Sequence, residues 1–166
     1  MQIAIISDTH MPRGNRRLPD ACVERLRAAD LIVHGGDLVT LIVLDHVNTF
    51  GPVVAVHGNM DDSEVRRALA PTVEIDLGTG KTLAVTHDAG PSQGRLERMR
   101  ARFPNADAVV FGHSHTPLHE RAADGFQIFN PGSPTERRRA PHHTMGIARV
   151  EKGELRFELI DLDATG

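Results

Sequence analysis

Short runs of branched apolar residues recur along this chain, and most of them stop at a glycine, a carboxylate or a histidine. "IAII" at 3–6, "LIVH" at 31–34 and "VVAV" at 53–56 are too short for helices and too continuous for half-exposed strands, so each reads as a buried strand. Between them lie segments of helical character. "PDACVERLRAA" at 19–29 opens on Pro and Asp and spaces Ala21, Cys22, Leu26 and Ala29 along one face. "LIVLDHVNTF" at 41–50 follows Thr40 as an N-cap candidate, and "DSEVRRALA" at 62–70 carries a capping pattern and ends before Pro71. Strands separated by helices imply parallel pairing with right-handed crossovers.

The second half changes character. "TVEIDL" at 72–77 alternates, Gly78 and Gly80 turn the chain, and "TLAVTH" at 82–87 returns as a hairpin. "SQGRLERMRARF" at 92–103 predicts a helix that includes Gly94, with Leu96, Met99 and Phe103 on one side. "DAVVFGH" at 107–113 is another buried strand; "GFQIFN" at 125–130, "TMGIARVE" at 144–151 and "ELRFELIDL" at 154–162 follow as strands, the last two paired through Gly153. The strand-rich tail predicts a second, largely antiparallel sheet. Two packed sheets with helices outside is the economical α/β architecture. With 166 residues, 40% apolar and 25% charged, one domain over 1–166 is expected.

The polar residues that follow the strands form a pattern. Asp8 and His10 follow the first, Asp37 the second and Asn59 the third; His87 follows the hairpin's return strand, and His113 and His115 follow "DAVVF". The carboxyl ends of parallel strands share one rim of a sheet, where ligands bind. Asp8 with His10, and His113 with His115, have i, i+2 spacing, which in extended chain places both side chains on one side. These seven donors exceed what one ion with an open position needs, and suit two ions sharing a carboxylate. Imidazole, carboxylate and carboxamide without thiolate suit Mn, Fe, Zn, Co or Ni and discriminate poorly among them.

The blocks "DTH", "GD", "GN", "TH" and "GHSH", in that order, together with "NPGS" at 130–133, resemble the calcineurin-like metallophosphoesterase superfamily, and the short chain resembles its small bacterial and archaeal phosphodiesterase branch. The resemblance implies a four-layer αββα sandwich of two mixed β-sheets flanked by helices. It implies a dinuclear centre with one metal on Asp8, His10 and His115, the other on Asn59, His87 and His113, and Asp37 bridging with one oxygen to each. A bridging hydroxide is the nucleophile in such a centre, and the small net positive charge suits a phosphodiester monoanion. Two divalent ions are expected, Mn2+ first, with Ni2+, Zn2+, Fe2+ or Co2+ as alternatives. The substrate is expected to be a small phosphodiester. A phosphomonoesterase using the same centre, or a non-catalytic scaffold of the same fold, are the alternative functions.

Two departures stand out. Most of the superfamily has His after the Asn of the third block, where it helps protonate the leaving oxygen, and the small branch often has Cys; this chain has Met60, which cannot. That leaves a metal, His57 or Asp61 to assist departure, Asp61 by holding a water or orienting a neighbour, so Asp37, Asn59 and Asp61 form the candidate catalytic set. Asp88 stands where the branch usually has Gly, and is read as a loop cap. His34 is a candidate support for the site, while His46, His119, His142 and His143 are read as surface residues and Arg137–Arg139 as a solvated run.

Composition argues against other classes. A net charge of -3, no basic stripe and no Trp or Tyr disfavour nucleic acid as a partner. No apolar run approaches a membrane span, the N-terminus lacks the charge and length of a signal peptide, and the single Cys22 precludes an intramolecular disulfide, so a cytoplasmic protein is expected. Members of the family often form dimers or higher assemblies, so a homo-oligomer is among the expectations.

Overall fold

Alternation along the first strand decides the layering. In β1 (Gln2–Ile6), Ile3 and Ile5 point to one face and Ala4 and Ile6 to the other, and all four are fully buried. A sheet built on such a strand needs cover on both faces. The computed structural model, which describes residues 1–78 and 80–164, provides it. β1 leads through α1 (Asp20–Arg27) to β2 (Leu31–His34), α2 (Leu41–Asn48), β3 (Val53–Ala55) and α3 (Ser63–Ala68). Then come β4 (Thr72–Asp76), β5 (Thr82–Thr86), α4 (Arg95–Arg102), β6 (Ala108–Val110), β7 (Leu118–Arg121), β8 (Gln127–Asn130), β9 (Thr144–Glu151) and β10 (Glu154–Asp161).

Among the described residues these strands form two five-stranded mixed sheets, ordered β10-β9-β1-β2-β3 and β4-β5-β6-β8-β7. β1, β2 and β3 run parallel, as do β5, β6 and β8. The inner faces meet in one core, where Ile3, Ile5 and Val33 of the first sheet pack with Val85, Val110 and Phe129 of the second. On the first sheet's outer face, Ala4, Ile6 and Ile32 pack against Cys22 and Leu26 of α1, Val43 and Val47 of α2 and Val65 of α3. On the second sheet's outer face, Ala84, Val109 and Ile128 pack against Met99 of α4 and Phe103. Helices, sheet, sheet and helix make the four-layer α/β sandwich expected. No helix among the described residues is long and apolar enough to cross a membrane.

Several local expectations are corrected. The β9–β10 hairpin does not build the second sheet; β9 pairs with β1, from Gln2↔Arg149 to Ile5↔Gly146, so the tail completes the first sheet. The centre of the second sheet is parallel, with antiparallel pairing only at its two edges. One of those edges, β7, has the polar sequence LHER and was not anticipated. Gly94 lies outside α4, as its N-cap in a left-handed conformation (φ 65°) that a glycine adopts without strain. Thr40 occupies the N-cap of α2 but makes no side-chain capping bond, whereas the Asp62 carboxylate caps α3 by accepting from Glu64 N and Val65 N.

Candidate metal centre

The parallel strands of both sheets end at one rim, and the loops that leave them carry the seven predicted donors. Asp8, His10, Asp37, His87 and His115 are buried there, while Asn59 and His113 are exposed at the mouth. The i, i+2 pairs do not converge through extended backbone. Asp8, His10, Asp37, His113 and His115 all have φ between 45° and 67°, in the left-handed region that costs non-glycine residues energy. Such strain is held only where the surroundings over-determine it, and clusters at functional sites.

Two groups of donors result. In the first, His115 Nε2 lies 3.3 Å from Asp8 Oδ1 and 3.2 Å from His10 Nε2. In the second, His87 Nε2 lies 3.2 Å from Asn59 Oδ1, and His113 Nδ1 lies 2.9 Å from the same oxygen. Asp37 stands between them: its Oδ2 is 3.5 Å from His10 Nε2 and 3.3 Å from His87 Nε2. The same oxygen thus faces both groups, rather than one oxygen facing each, because Oδ1 accepts a 2.7 Å bond from Met60 N. Asp8, His10 and His115, and likewise Asp8, Asp37 and His87, bring their ligand atoms within 4.8 Å of one another.

Hydrogen bonds behind the rings decide which atoms are free. A carbonyl only accepts, so His87 Nδ1 donates to Gly35 O (2.8 Å) and His115 Nδ1 donates to Glu136 O, leaving both Nε2 atoms for the centre. His34 supports the site from beneath. Its Nδ1 accepts from Gly36 N (3.1 Å), so its proton lies on Nε2 and bonds Thr9 Oγ1 (3.1 Å). Asp61 is buried, and its carboxylate accepts from Asp37 N (3.1 Å), Val39 N (2.6 Å) and Gly58 N (2.6 Å). Of the two roles considered for Asp61, this geometry serves orientation: it braces the loops of Asp37 and Asn59. Asp88 Oδ1 accepts from Gly90 N (2.7 Å), the loop cap expected.

The "NPGS" turn backs the centre directly. Asn130 Nδ2 donates to Gly112 O (2.8 Å), and Ser133 Oγ donates to Asp8 O (2.8 Å). Two glycines permit the close packing. A Cβ on Gly58 would lie 2.2 Å from Asp37 Oδ1, and one on Gly112 would lie 2.0 Å from Ser7 Oγ and 2.5 Å from Asp8 Oδ2.

The electrostatics fit a resident cation. Burial pushes the Asp8 carboxyl up to about 6, with Asp37 adding to it, against the charge of His87 and a hydrogen bond from Ser7. Burial would lower the His87 imidazole, but Asp37 and Asp8 outweigh it and raise its pKa to about 9. The buried carboxylates thus favour positive charge at this position. Burial also lowers His10 and His115, leaving neutral imidazoles able to ligate. The oxygen and imidazole donor set, free of thiolate, suits divalent first-row ions; Cys22 lies in the outer core.

The structure adds residues that sequence reasoning missed. Ser7 Oγ donates to Asp8 Oδ2 (2.7 Å). Glu136 Oε2 approaches His10 Nε2 at 3.9 Å, and its other oxygen pairs with Arg16 at 3.1 Å. Arg66 Nε donates to Asp61 O (2.9 Å) and its Nη2 to Asn59 O, tying α3 to the Asn59 loop. Position after "NPGS" was the only signal for Glu136, and none pointed to Arg66.

Comparison with known proteins identifies the family of the chain. Residues 1–153 match the calcineurin-like phosphoesterase superfamily domain. A probable metallophosphoesterase of Methanothermobacter thermautotrophicus is 32% identical over 164 residues, covering 96% of this chain and 92% of the relative. Among solved structures, one described as a novel archaeal phosphodiesterase is 26% identical with a TM-score of 0.72, covering 96% of this chain and all of that one (100%). Vps29 of Entamoeba histolytica, solved with zinc, shares the fold at a TM-score of 0.77 and 20% identity, covering 98% of this chain and 100% of that one. Five motif blocks, two mixed sheets and a matched domain over most of the length converge: the chain belongs to the calcineurin-like phosphoesterase superfamily.

Proposed function

We propose that this chain is a metal-dependent phosphodiesterase that cleaves small phosphodiesters at a dinuclear centre. The observation that carries the reading is Asp37 Oδ2, which stands between the two donor groups at 3.5 Å and 3.3 Å. Asp8, His10 and His115 would hold one ion, Asn59, His87 and His113 the other, and Asp37 would serve both. Manganese is the first candidate. Two such ions supply Lewis acidity toward the phosphoryl oxygens and lower the pKa of a nearby water. The chain's own work is positional. Asp61 fixes the loops of Asp37 and Asn59, the carbonyls of Gly35 and Glu136 aim His87 and His115, and the neutral imidazoles keep the centre electrophilic. The likeness to an archaeal phosphodiesterase supports diester rather than monoester cleavage. The protein acts as a single domain in the cytoplasm, with a small phosphoester as its partner and neither nucleic acid nor membrane.

Met60 shapes the chemistry. It is 38% exposed beside Asn59 and can donate no side-chain proton. Leaving-group protonation is therefore weak, and rates should depend steeply on leaving-group pKa, favouring aryl and strained cyclic esters. Rates nearly flat across leaving groups, with chemistry rate-limiting, would refute this. The functional reading itself is tested by Mn2+-dependent hydrolysis of an aryl phosphodiester beside its monoester, with Asp37→Ala as control. Diester cleavage that needs both metal and Asp37 supports it; faster monoester cleavage assigns the chain to the phosphomonoesterases.

A further inference from the structure

The Asn59, His87 and His113 side of the centre opens into a cavity of about 430 Å³. Beyond those three residues its walls include His57, Arg66, Pro71, Asp88 and Arg102. Its charge is unbalanced. Arg66 and Arg102 contribute two guanidinium groups against the single carboxylate of Asp88, which already accepts from Gly90 N. Neither arginine pairs with a carboxylate among the described residues; the ion pairs of Lys and Arg fall on Arg16, Lys81, Arg100, Arg149 and Arg156. Arg66 is committed to the carbonyls of Asp61 and Asn59, whereas Arg102, lying over the Phe103 ring at 5.1 Å, makes a single long hydrogen bond of 3.4 Å to Asp88 O. His57 Nδ1 is buried without a hydrogen-bond partner among the described residues.

The opposite side of the centre differs. There Glu136 approaches His10, and its charge is already met by Arg16. Arg138, exposed and 3.4 Å from His113 O, also has no carboxylate partner among the described residues, but it does not line the cavity, so the unmatched positive charge inside the cavity rests on Arg66 and Arg102. No phenylalanine lines the cavity, so it offers no platform on which a base would stack. What it offers is a guanidinium with no carboxylate partner among the described residues, whose planar fork matches a carboxylate or phosphate in two parallel hydrogen bonds.

We propose that this cavity is an anion subsite, with Arg102 as its specificity residue, and that the substrate is a phosphoester whose ester arm carries a second carboxylate or phosphate group. The proposal rests on the phosphoesterase reading above. The metal centre takes the reacting phosphoryl group, and Arg102 takes the second charge with Arg66 adding to the local field. Selectivity comes from the second charge rather than from a nucleobase.

The test compares two unreactive probes with one head group, butylphosphonate and 4-phosphonobutanoate, titrated calorimetrically into the Mn2+-loaded protein. The probe with the added carboxylate should bind on the order of tenfold more tightly, as a charge-assisted pair in a partly enclosed site allows. In Arg102→Gln that ratio should fall toward one, and in Arg102→Lys it should partly return. Because the ratio is internal to each protein, a general loss of metal or fold does not imitate the effect. Equal affinities in the unaltered protein, or a ratio that persists in Arg102→Gln, overturn the subsite and leave the phosphoesterase reading standing. If neither probe binds to protein holding its metal, both fall together.

Discussion

Replacing Asp61 by Asn changes almost no volume and isolates the brace beneath the metal centre. The carboxylate is 5% exposed and serves three backbone donors, Oδ1 accepting from Val39 N and Oδ2 from Asp37 N and Gly58 N. A carboxamide has one acceptor oxygen. Turned toward Asp37 and Gly58, it sets its NH2 group against Val39 N–H and orphans a buried donor, at a cost of ~1–3 kcal/mol. The two remaining bonds lose their charge assistance, worth about 1 kcal/mol between them. The expected loss is about 3 kcal/mol, which for a domain of this size lowers Tm by ~6–12 °C. The same loops carry Asp37 and Asn59, so Mn2+ affinity should also fall by ~10–100-fold, the usual cost of removing a group that orients metal ligands. Thermal unfolding by circular dichroism, with and without metal, and Mn2+ calorimetry measure the two effects. A variant within ~0.5 kcal/mol of the unaltered protein, with unchanged Mn2+ affinity, would show that Asp61 braces nothing.

Other predictions address separate parts of the account. His34 is held down to about 3, first by burial and then by the charge of His87. Above pH 6.5 it is neutral in both folded and unfolded chain; below it the unfolded chain takes a proton that the folded chain refuses. In metal-free protein its contribution to stability should therefore be lost as pH falls from 6.5 toward 3, by up to about 1.4 kcal/mol per unit, and denaturant titrations of His34→Gln should show a shallower slope. Gly58→Ala should fold yet bind metal poorly, because its Cβ would meet Asp37 Oδ1 at 2.2 Å and the Asp37 backbone nitrogen at 2.8 Å; metal analysis after dialysis reads this. Met60→His should accelerate cleavage of esters with poor leaving groups, toward the low end of ~10²–10⁴-fold, and leave aryl esters little changed; a plot of rate against leaving-group pKa would show whether the slope flattens.

The elements most legible in the sequence are those whose local chemistry agrees with their tertiary role. Ile3–Ile6 and Leu31–His34 are buried on both faces, so their apolar runs are unbroken and bounded by turn residues. β7 was hidden because Leu118–Arg121 is an edge strand whose polar residues face solvent. The β9–β10 hairpin was visible, but its sheet was not, because the Gln2↔Arg149 pairing joins opposite ends of the chain and nothing local encodes it. The gathering of the seven candidate donors at one rim was legible because parallel strands bring their carboxyl ends together. The left-handed backbone at five of them, Asp8, His10, Asp37, His113 and His115, was not, since Asp and His in such loops carry no mark that distinguishes a left-handed turn from extended chain. The brace at Asp61 depends on backbone donors up to 24 residues away, and the placing of Arg66 and Arg102 on one cavity depends on how α3 and α4 pack on different sheets.

The central claim is that one carboxylate, Asp37, serves two ions. Chelator-stripped protein titrated with Mn2+ and followed by calorimetry and electron paramagnetic resonance tests it most directly. The account predicts two ions per chain with a spin-coupled spectrum, as expected for ions ~3.5–4 Å apart, and loss of the coupling in Asp37→Ala. A single uncoupled ion at saturation, or coupling that survives Asp37→Ala, would contradict it.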